Sequence, residues 1–137
     1  MTDNPFVGKW IYRSFLNDPD ISKSFDDIRL GAGTIVIAQA PLQILKGTIG
    51  GQGWSLTLAG SREYGSPMHA RFQGTGVNNG EKWIYDYDGY LVPHWPHGVD
   101  QRPAIVGSVI RTVPHSGSDG TVHPAGVVGS FFAVKSD

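Results

Sequence analysis

The sequence predicts an all-β chain, one domain of eight antiparallel strands wound up and down and closed into a barrel, with at most one short helix. Three observations lead there. Nineteen glycines and nine prolines are spread through the 137 residues, which interrupts long helices and suits frequent turns. Between them lie runs rich in Val, Ile, Thr, Phe, Tyr and Trp, the residues that fit a pleated surface. Several of these runs alternate apolar and polar residues, the period of two expected when one face meets a core and the other meets water. Short turns between consecutive runs argue for antiparallel neighbours rather than βαβ units. Closure of eight strands removes the exposed edges that invite aggregation. A two-sheet sandwich or jelly roll is the competing arrangement.

Strands are expected at residues 9–16, 34–39, 44–49, 54–60, 69–74, 81–91, 104–113 and 126–135. After the first, Asp18-Pro19 offers a helix cap followed by proline, and Ile21, Phe25 and Ile28 recur at helical spacing. The expectation is a turn or two of helix plugging a barrel end, with a surface loop as the alternative. Gly50-Gly51-Gln52-Gly53 joins the third and fourth strands, and glycine supplies the positive φ of a tight hairpin. Asn78-Asn79-Gly80 joins the fifth and sixth, and Asn-Gly is a strong hairpin signal. Asp88-Gly89 resembles a turn, but the sixth strand reads as continuous through it. Ser116-Gly-Ser-Asp-Gly120 opens a longer loop before the last strand.

Face by face, the fourth strand sets Trp54, Leu56 and Leu58 against Ser55 and Thr57. The fifth sets Ala70 and Phe72 against His69, Arg71 and Gln73. The sixth sets Trp83, Tyr85 and Tyr87 against Ile84, Asp86 and Asp88. The last two strands are apolar on both faces: Ile105 and Val109 oppose Val106 and Ile110, and Val127, Phe131 and Ala133 oppose Val128, Phe132 and Val134. Strands of that kind are covered on both sides. The expectation is a homo-oligomer, most simply a two-fold dimer, packed through these two strands; the short helix folding over the patch is the alternative.

A formal charge of −1, from eleven basic and twelve acidic residues, gives no basic footprint for nucleic acid or an anionic membrane. No cysteine is present, which removes zinc ribbons, redox motifs and cysteine nucleophiles. The first ten residues carry neither a basic leader nor a signal-length apolar run, and no stretch approaches the roughly 18 apolar residues of a membrane span. A cytoplasmic protein is the expectation.

The segment 83–97 holds two of the four tryptophans, three of the five tyrosines and two of the five histidines. Tyr and Trp join a large apolar face to one polar handle, which suits a wall that holds and orients a ligand; they are also favoured strand residues and serve a core equally well. His94 and His97 could be two metal ligands. Two imidazoles alone make a poor zinc site, so solvated loop histidines are the better reading, and no metal or cofactor is assigned. Asp86 and Asp88 could act as acid and base if the barrel mouth desolvated one of them; outward charges on a solvated face are the simpler reading. Arg111 shares a side with Ile105 and Val109, so its head either enters the barrel to meet a carboxylate or anionic ligand or snorkels to the rim. Gly47-Thr-Ile-Gly-Gly-Gln-Gly53 lies between strands, unlike a phosphate cradle, and no Gly-x-Ser-x-Gly elbow occurs.

Two short features resemble the calycin group, the lipocalins and their relatives. Gly8-Lys9-Trp10 opens the first strand as Gly-x-Trp does there. Asp86-Tyr87-Asp88-Gly89-Tyr90 resembles the core of the lipocalin Thr-Asp-Tyr-x-x-Tyr signature, with Tyr85 where threonine is usual. That resemblance implies that Trp10 closes the barrel floor and that the cavity takes a small apolar ligand. The chain departs from the group in lacking a disulfide pair, a C-terminal helix and an arginine on the last strand. Its closing Gly126-Val-Val-Gly-Ser-Phe-Phe132 is similar to the ending of small bacterial allene-oxide-cyclase-type barrels, but no matching catalytic residues carry that activity over.

The functional expectation is a barrel that binds a small, partly apolar molecule, with Trp54, Phe72, Trp83, Tyr85, Tyr87, His94, Trp95 and Arg111 as its contacts. The alternatives are an isomerase or cyclase that positions its substrate on the same aromatic wall, and an assembly module in which Tyr90 and Trp95 are buried between subunits.

Overall fold

Every strand expected from the sequence is present in the computed structural model, which describes residues 4–92, 99, 102–117 and 120–136. Eight strands form a closed barrel: β1 (Gly8–Leu16), β2 (Arg29–Ile37), β3 (Ile44–Gly51), β4 (Trp54–Glu63), β5 (His69–Asn78), β6 (Glu81–Leu91), β7 (Ala104–Arg111) and β10 (Val128–Lys135). Each pairs antiparallel with the barrel strand that follows it in the chain, and β10 closes the ring on β1, Tyr12 opposite Ala133. The fold is therefore all-β and up-and-down. Two further short strands, β8 (His115–Ser116) and β9 (Val122–His123), pair with each other inside the β7–β10 connection.

The turns follow from their residues. Asn79 and Gly80 have φ of 53° and 77°, the paired positive angles of a two-residue hairpin whose twist matches its strands. The sixth strand does run unbroken through Asp88-Gly89. Other glycines serve the strands instead. A Cβ on Gly107 would lie 1.9 Å from the Asp88 carbonyl oxygen, and one on Gly47 would lie 1.9 Å from that of Val36. The strands cross so closely there that only glycine fits.

Inward residues fill the barrel from one end. Trp10 and Phe6 are fully buried, and the Trp10 indole Nε1 donates to the Phe6 carbonyl at 2.9 Å. Above this floor, Phe72 stacks on Tyr87 at 5.2 Å, and Tyr87 and Tyr12 both meet Phe131 at 5.7 Å between ring centres. Leu45, Ile49, Leu56, Leu58, Ile105 and Val109 complete the packing. Burying each such side chain stabilises the fold by about 1.5–3 kcal/mol, and it leaves the lower and middle barrel filled.

Three expectations are corrected. No helix forms at residues 18–28. The Asp18 and Asp20 carboxylates accept from the amides of Asp20 (2.9 Å) and Ser22 (3.1 Å), and such local bonds draw the backbone into turns. Ile21 is 98 % exposed; Phe25, itself 75 % exposed, packs on the outside of Phe15, which stacks on Phe132, and the Ile28 carbonyl accepts from the Leu16 amide at 2.7 Å. Second, β2 starts at Arg29 rather than residue 34, because small residues, Gly31, Ala32 and Gly33, replace the apolar alternation in its first half while still pairing with β1 across a bulge at Ser14/Phe15. Third, β7 ends at Arg111, where the Thr112 amide and hydroxyl both donate to the Ile84 carbonyl at 3.0 Å and turn the chain.

The two-faced strands are as read. Ile105, Val109, Phe131 and Ala133 are buried in the barrel, while Val106 and Val128 stand exposed on its outer wall.

Candidate functional site

At the end opposite Trp10 the packing stops and a cavity of about 460 Å³ opens. The strand period builds its wall. Trp83, Tyr85 and Tyr87 are alternate residues of β6 and all point inward; β4 contributes its first residue, Trp54; β7 contributes Val109 and Arg111. Across from them β1 presents Tyr12, Ser14 and Leu16, and the bulged start of β2 brings Leu30. The β7–β10 connection arches over this mouth, lowering His115, His123, Pro124 and Val127 onto the cavity.

One side is a stack of flat rings. The imidazole of His115 lies on Trp83 at 3.9 Å and 17°, and Trp83 lies beside Trp54 at 6.2 Å and 29°. The Trp83 indole N–H is buried without a hydrogen-bond partner among the described residues, a cost of about 1–3 kcal/mol for a group removed from water.

A polar chain runs beside the stack. Arg111 Nε donates to the Tyr85 hydroxyl at 2.9 Å, and that hydroxyl lies 2.6 Å from His115 Nε2. Burial pushes the His115 pKa below its ordinary 6.5, and the Arg111 charge and His123 push the same way; the Ser116 backbone contact and Glu81 oppose them. A neutral imidazole with its proton on Nδ1, facing the Ser116 carbonyl at 3.1 Å, accepts the tyrosine proton at Nε2. The directions are then consistent along the chain: arginine donates to tyrosine, tyrosine to histidine, histidine to backbone. Glu81, at the rim, is held by the Ser116 amide at 3.2 Å and its hydroxyl at 3.3 Å.

Arg111 is 6 % exposed. Its Nη1 donates to the Pro124 carbonyl at 3.3 Å, and among the described residues no carboxylate forms an ion pair with it. Deeper in, Tyr12 and Tyr87 stay protonated: burial raises Tyr12 to about 12 and Tyr87 well above its ordinary value.

Five residues singled out in the sequence thus meet at one cavity: Trp54, Trp83, Tyr85, Tyr87 and Arg111. Phe72 does not reach it and belongs to the packing beneath. His94, Trp95 and His97 lie outside the described residues. Asp86 and Asp88 face outward, away from the mouth. Asp86 accepts from Gln73 at 2.8 Å, and Asp88 bonds His69 and, at 3.0 Å, Arg71. The His69 contact, and then Arg71, lower the Asp88 pKa, so acid–base chemistry by this pair in the mouth is ruled out by placement. Among the described residues no group of three or more His, Asp or Glu gathers as a metal site.

His115, Glu81, Tyr12 and Ser14 escaped the sequence reading. Tyr12 was recoverable from the alternation Trp10-Tyr12-Ser14. Nothing local marks His115, which follows a proline in an irregular connection and acquires its role only when that connection folds over β6.

No family model, no curated protein and no solved structure matches the chain. The shared ground of the two resemblances, a small closed β-barrel, is what the structure supports. Among the described residues no helix is long and apolar enough to cross a membrane.

Proposed function

We propose that this barrel binds a small, partly apolar molecule in its mouth. The observation that carries the reading is the abrupt change from a filled core to a cavity of about 460 Å³ with an aromatic wall and one buried polar chain. Pockets for small ligands are of this kind: about 300–1,000 Å³, largely apolar, with few polar groups that fix orientation. The calycin-like placement of Trp10 at a closed floor supports the same reading. Native mass spectrometry of the purified protein tests it. A co-purifying molecule, or uptake from a panel of small lipophiles, is the expected result; no adduct with any of them removes the proposal.

A second reading, a substrate-positioning isomerase or cyclase, draws on the Arg111–Tyr85–His115 chain, which could hold a developing oxyanion through Arg111 and Tyr85. Turnover abolished by Tyr85→Phe with binding retained would favour it over simple binding.

We also propose that a second copy covers the outer wall. In the rows Ile11–Val134–Ala104 and Arg13–Phe132–Val106–Tyr90, across four adjacent strands, Arg13 is the one charged residue and none is acidic. A closed barrel has no strand edges to pair, so association proceeds face to face. Sedimentation velocity should show a dimer that Val106→Glu dissociates. A monomeric wild type would end this proposal.

A further inference from the structure

Resting on the reading of the mouth as a ligand site, we propose that its ligand is a planar aromatic carboxylate whose anionic group pairs with the Arg111 guanidinium. Two observations converge on that chemistry. The first is an unbalanced charge. A guanidinium presents a flat fork of N–H donors, and among the described residues only Nε and Nη1 of Arg111 have acceptors, Tyr85 and Pro124. Both acceptors are neutral, and among the described residues no carboxylate pairs with this almost fully buried cation. A buried, unpaired charge is costly, and a carboxylate matches the fork with two parallel bonds.

The second is the shape of the wall. The stacked rings of His115, Trp83 and Trp54 line the same cavity as Arg111, and aromatic side chains favour a flat ring in offset or edge-to-face contact. Leu16, Leu30 and Val127, which line the same cavity, complete an apolar environment for the ring body.

The rim carboxylate does not already serve Arg111. Glu81 is engaged by the amide and hydroxyl of Ser116 instead. A cationic aromatic ligand would meet an uncompensated arginine, and a neutral one would leave the fork unmatched.

The test is a matched series of probes titrated against the full chain by tryptophan fluorescence: 2-naphthoate, 2-naphthamide and cyclohexanecarboxylate. Naphthoate should bind at least about tenfold more tightly than the neutral amide, and more tightly than the non-planar acid. Arg111→Gln should bring naphthoate down to the affinity of the amide, and Arg111→Lys should keep part of the preference because the charge persists without the fork. Circular dichroism establishes whether each variant is folded. If Arg111→Gln does not fold, the wild-type ratio of acid to amide still decides the matter. Equal affinity for acid and amide overturns the anion assignment while leaving the cavity reading intact. Equal affinity for the planar and non-planar acids overturns the aromatic assignment. No binding of any probe overturns both the inference and the reading beneath it.

Discussion

Replacing Tyr85 with phenylalanine removes a single oxygen from the centre of the mouth while leaving its ring in place. That oxygen accepts from Arg111 Nε at 2.9 Å and lies 2.6 Å from His115 Nε2. A bond to a charged group contributes about 1.5–3 kcal/mol and a neutral one about 0.5–1.5 kcal/mol. Arg111 and His115 are each 6 % exposed, so neither readily regains water in exchange. The expected loss is about 2–4 kcal/mol of folding stability, read from urea unfolding followed by far-ultraviolet circular dichroism. The midpoint should fall at unchanged slope, because the barrel and its buried area are untouched. A cycle with His115→Phe, which preserves the ring over Trp83, isolates the tyrosine–histidine bond and should show coupling of about 0.5–1.5 kcal/mol. A Tyr85→Phe loss below about 0.5 kcal/mol, or strictly additive single changes, would refute the claim that this hydroxyl organises the site.

Three further outcomes are expected. Gly107→Ala should cost at least about 3 kcal/mol or prevent folding, since its Cβ would sit 1.9 Å from a backbone oxygen that cannot move without breaking the β6–β7 ladder; thermal melting checks it, and a wild-type melting temperature contradicts it. His115 has a folded pKa below its ordinary 6.5, set by burial and by Arg111 and His123 against the opposing pull of Glu81 and the Ser116 backbone. Its contribution to stability is therefore complete above about pH 6.5 and declines as pH falls from there through the lower folded value; His115→Gln should flatten that part of the stability–pH curve. Tyr12 is raised by burial from 10.0 to about 12, so the stability it confers is present below pH 10 and lost as pH rises from 10 toward 12. The loss from this group is about 2–3 kcal/mol, and Tyr12→Phe should remove it from an alkaline titration of folding.

The barrel was legible because its strands repeat one rule. Trp54-Leu56-Leu58 and Trp83-Tyr85-Tyr87 alternate so regularly that their inward faces follow from position alone, and Asn79-Gly80 fixes the hairpin between β5 and β6. The glycines were legible only by half. Their abundance pointed to turns, yet Gly47 and Gly107 sit inside strands, where crowding between neighbouring backbones is invisible in a sequence. Residues 18–28 misled because helical spacing of Ile21, Phe25 and Ile28 competes with aspartates that bond their own backbone, and with no partner surface the spacing lost. Arg111 illustrates the limit for the site. Its side of the strand was readable, but whether it entered the barrel depended on Tyr85 and on a connection that brings Pro124 and His115 over it. That meeting of β6, β7 and an irregular loop is long-range, and no local pattern encodes it.

The central claim, that the mouth is an occupied-by-design cavity above a packed floor, is tested most directly by the indole N–H signals of the tryptophans in a proton–nitrogen correlation spectrum during titration with 2-naphthoate. Trp54 and Trp83 line the cavity, whereas Trp10 is sealed against Phe6 at the far end. The expected result is saturable movement of the Trp54 and Trp83 signals, assigned by single Trp→Phe variants, with Trp10 stationary. Movement of Trp10 together with the others, or no movement at Trp54 and Trp83 up to millimolar probe, would contradict it.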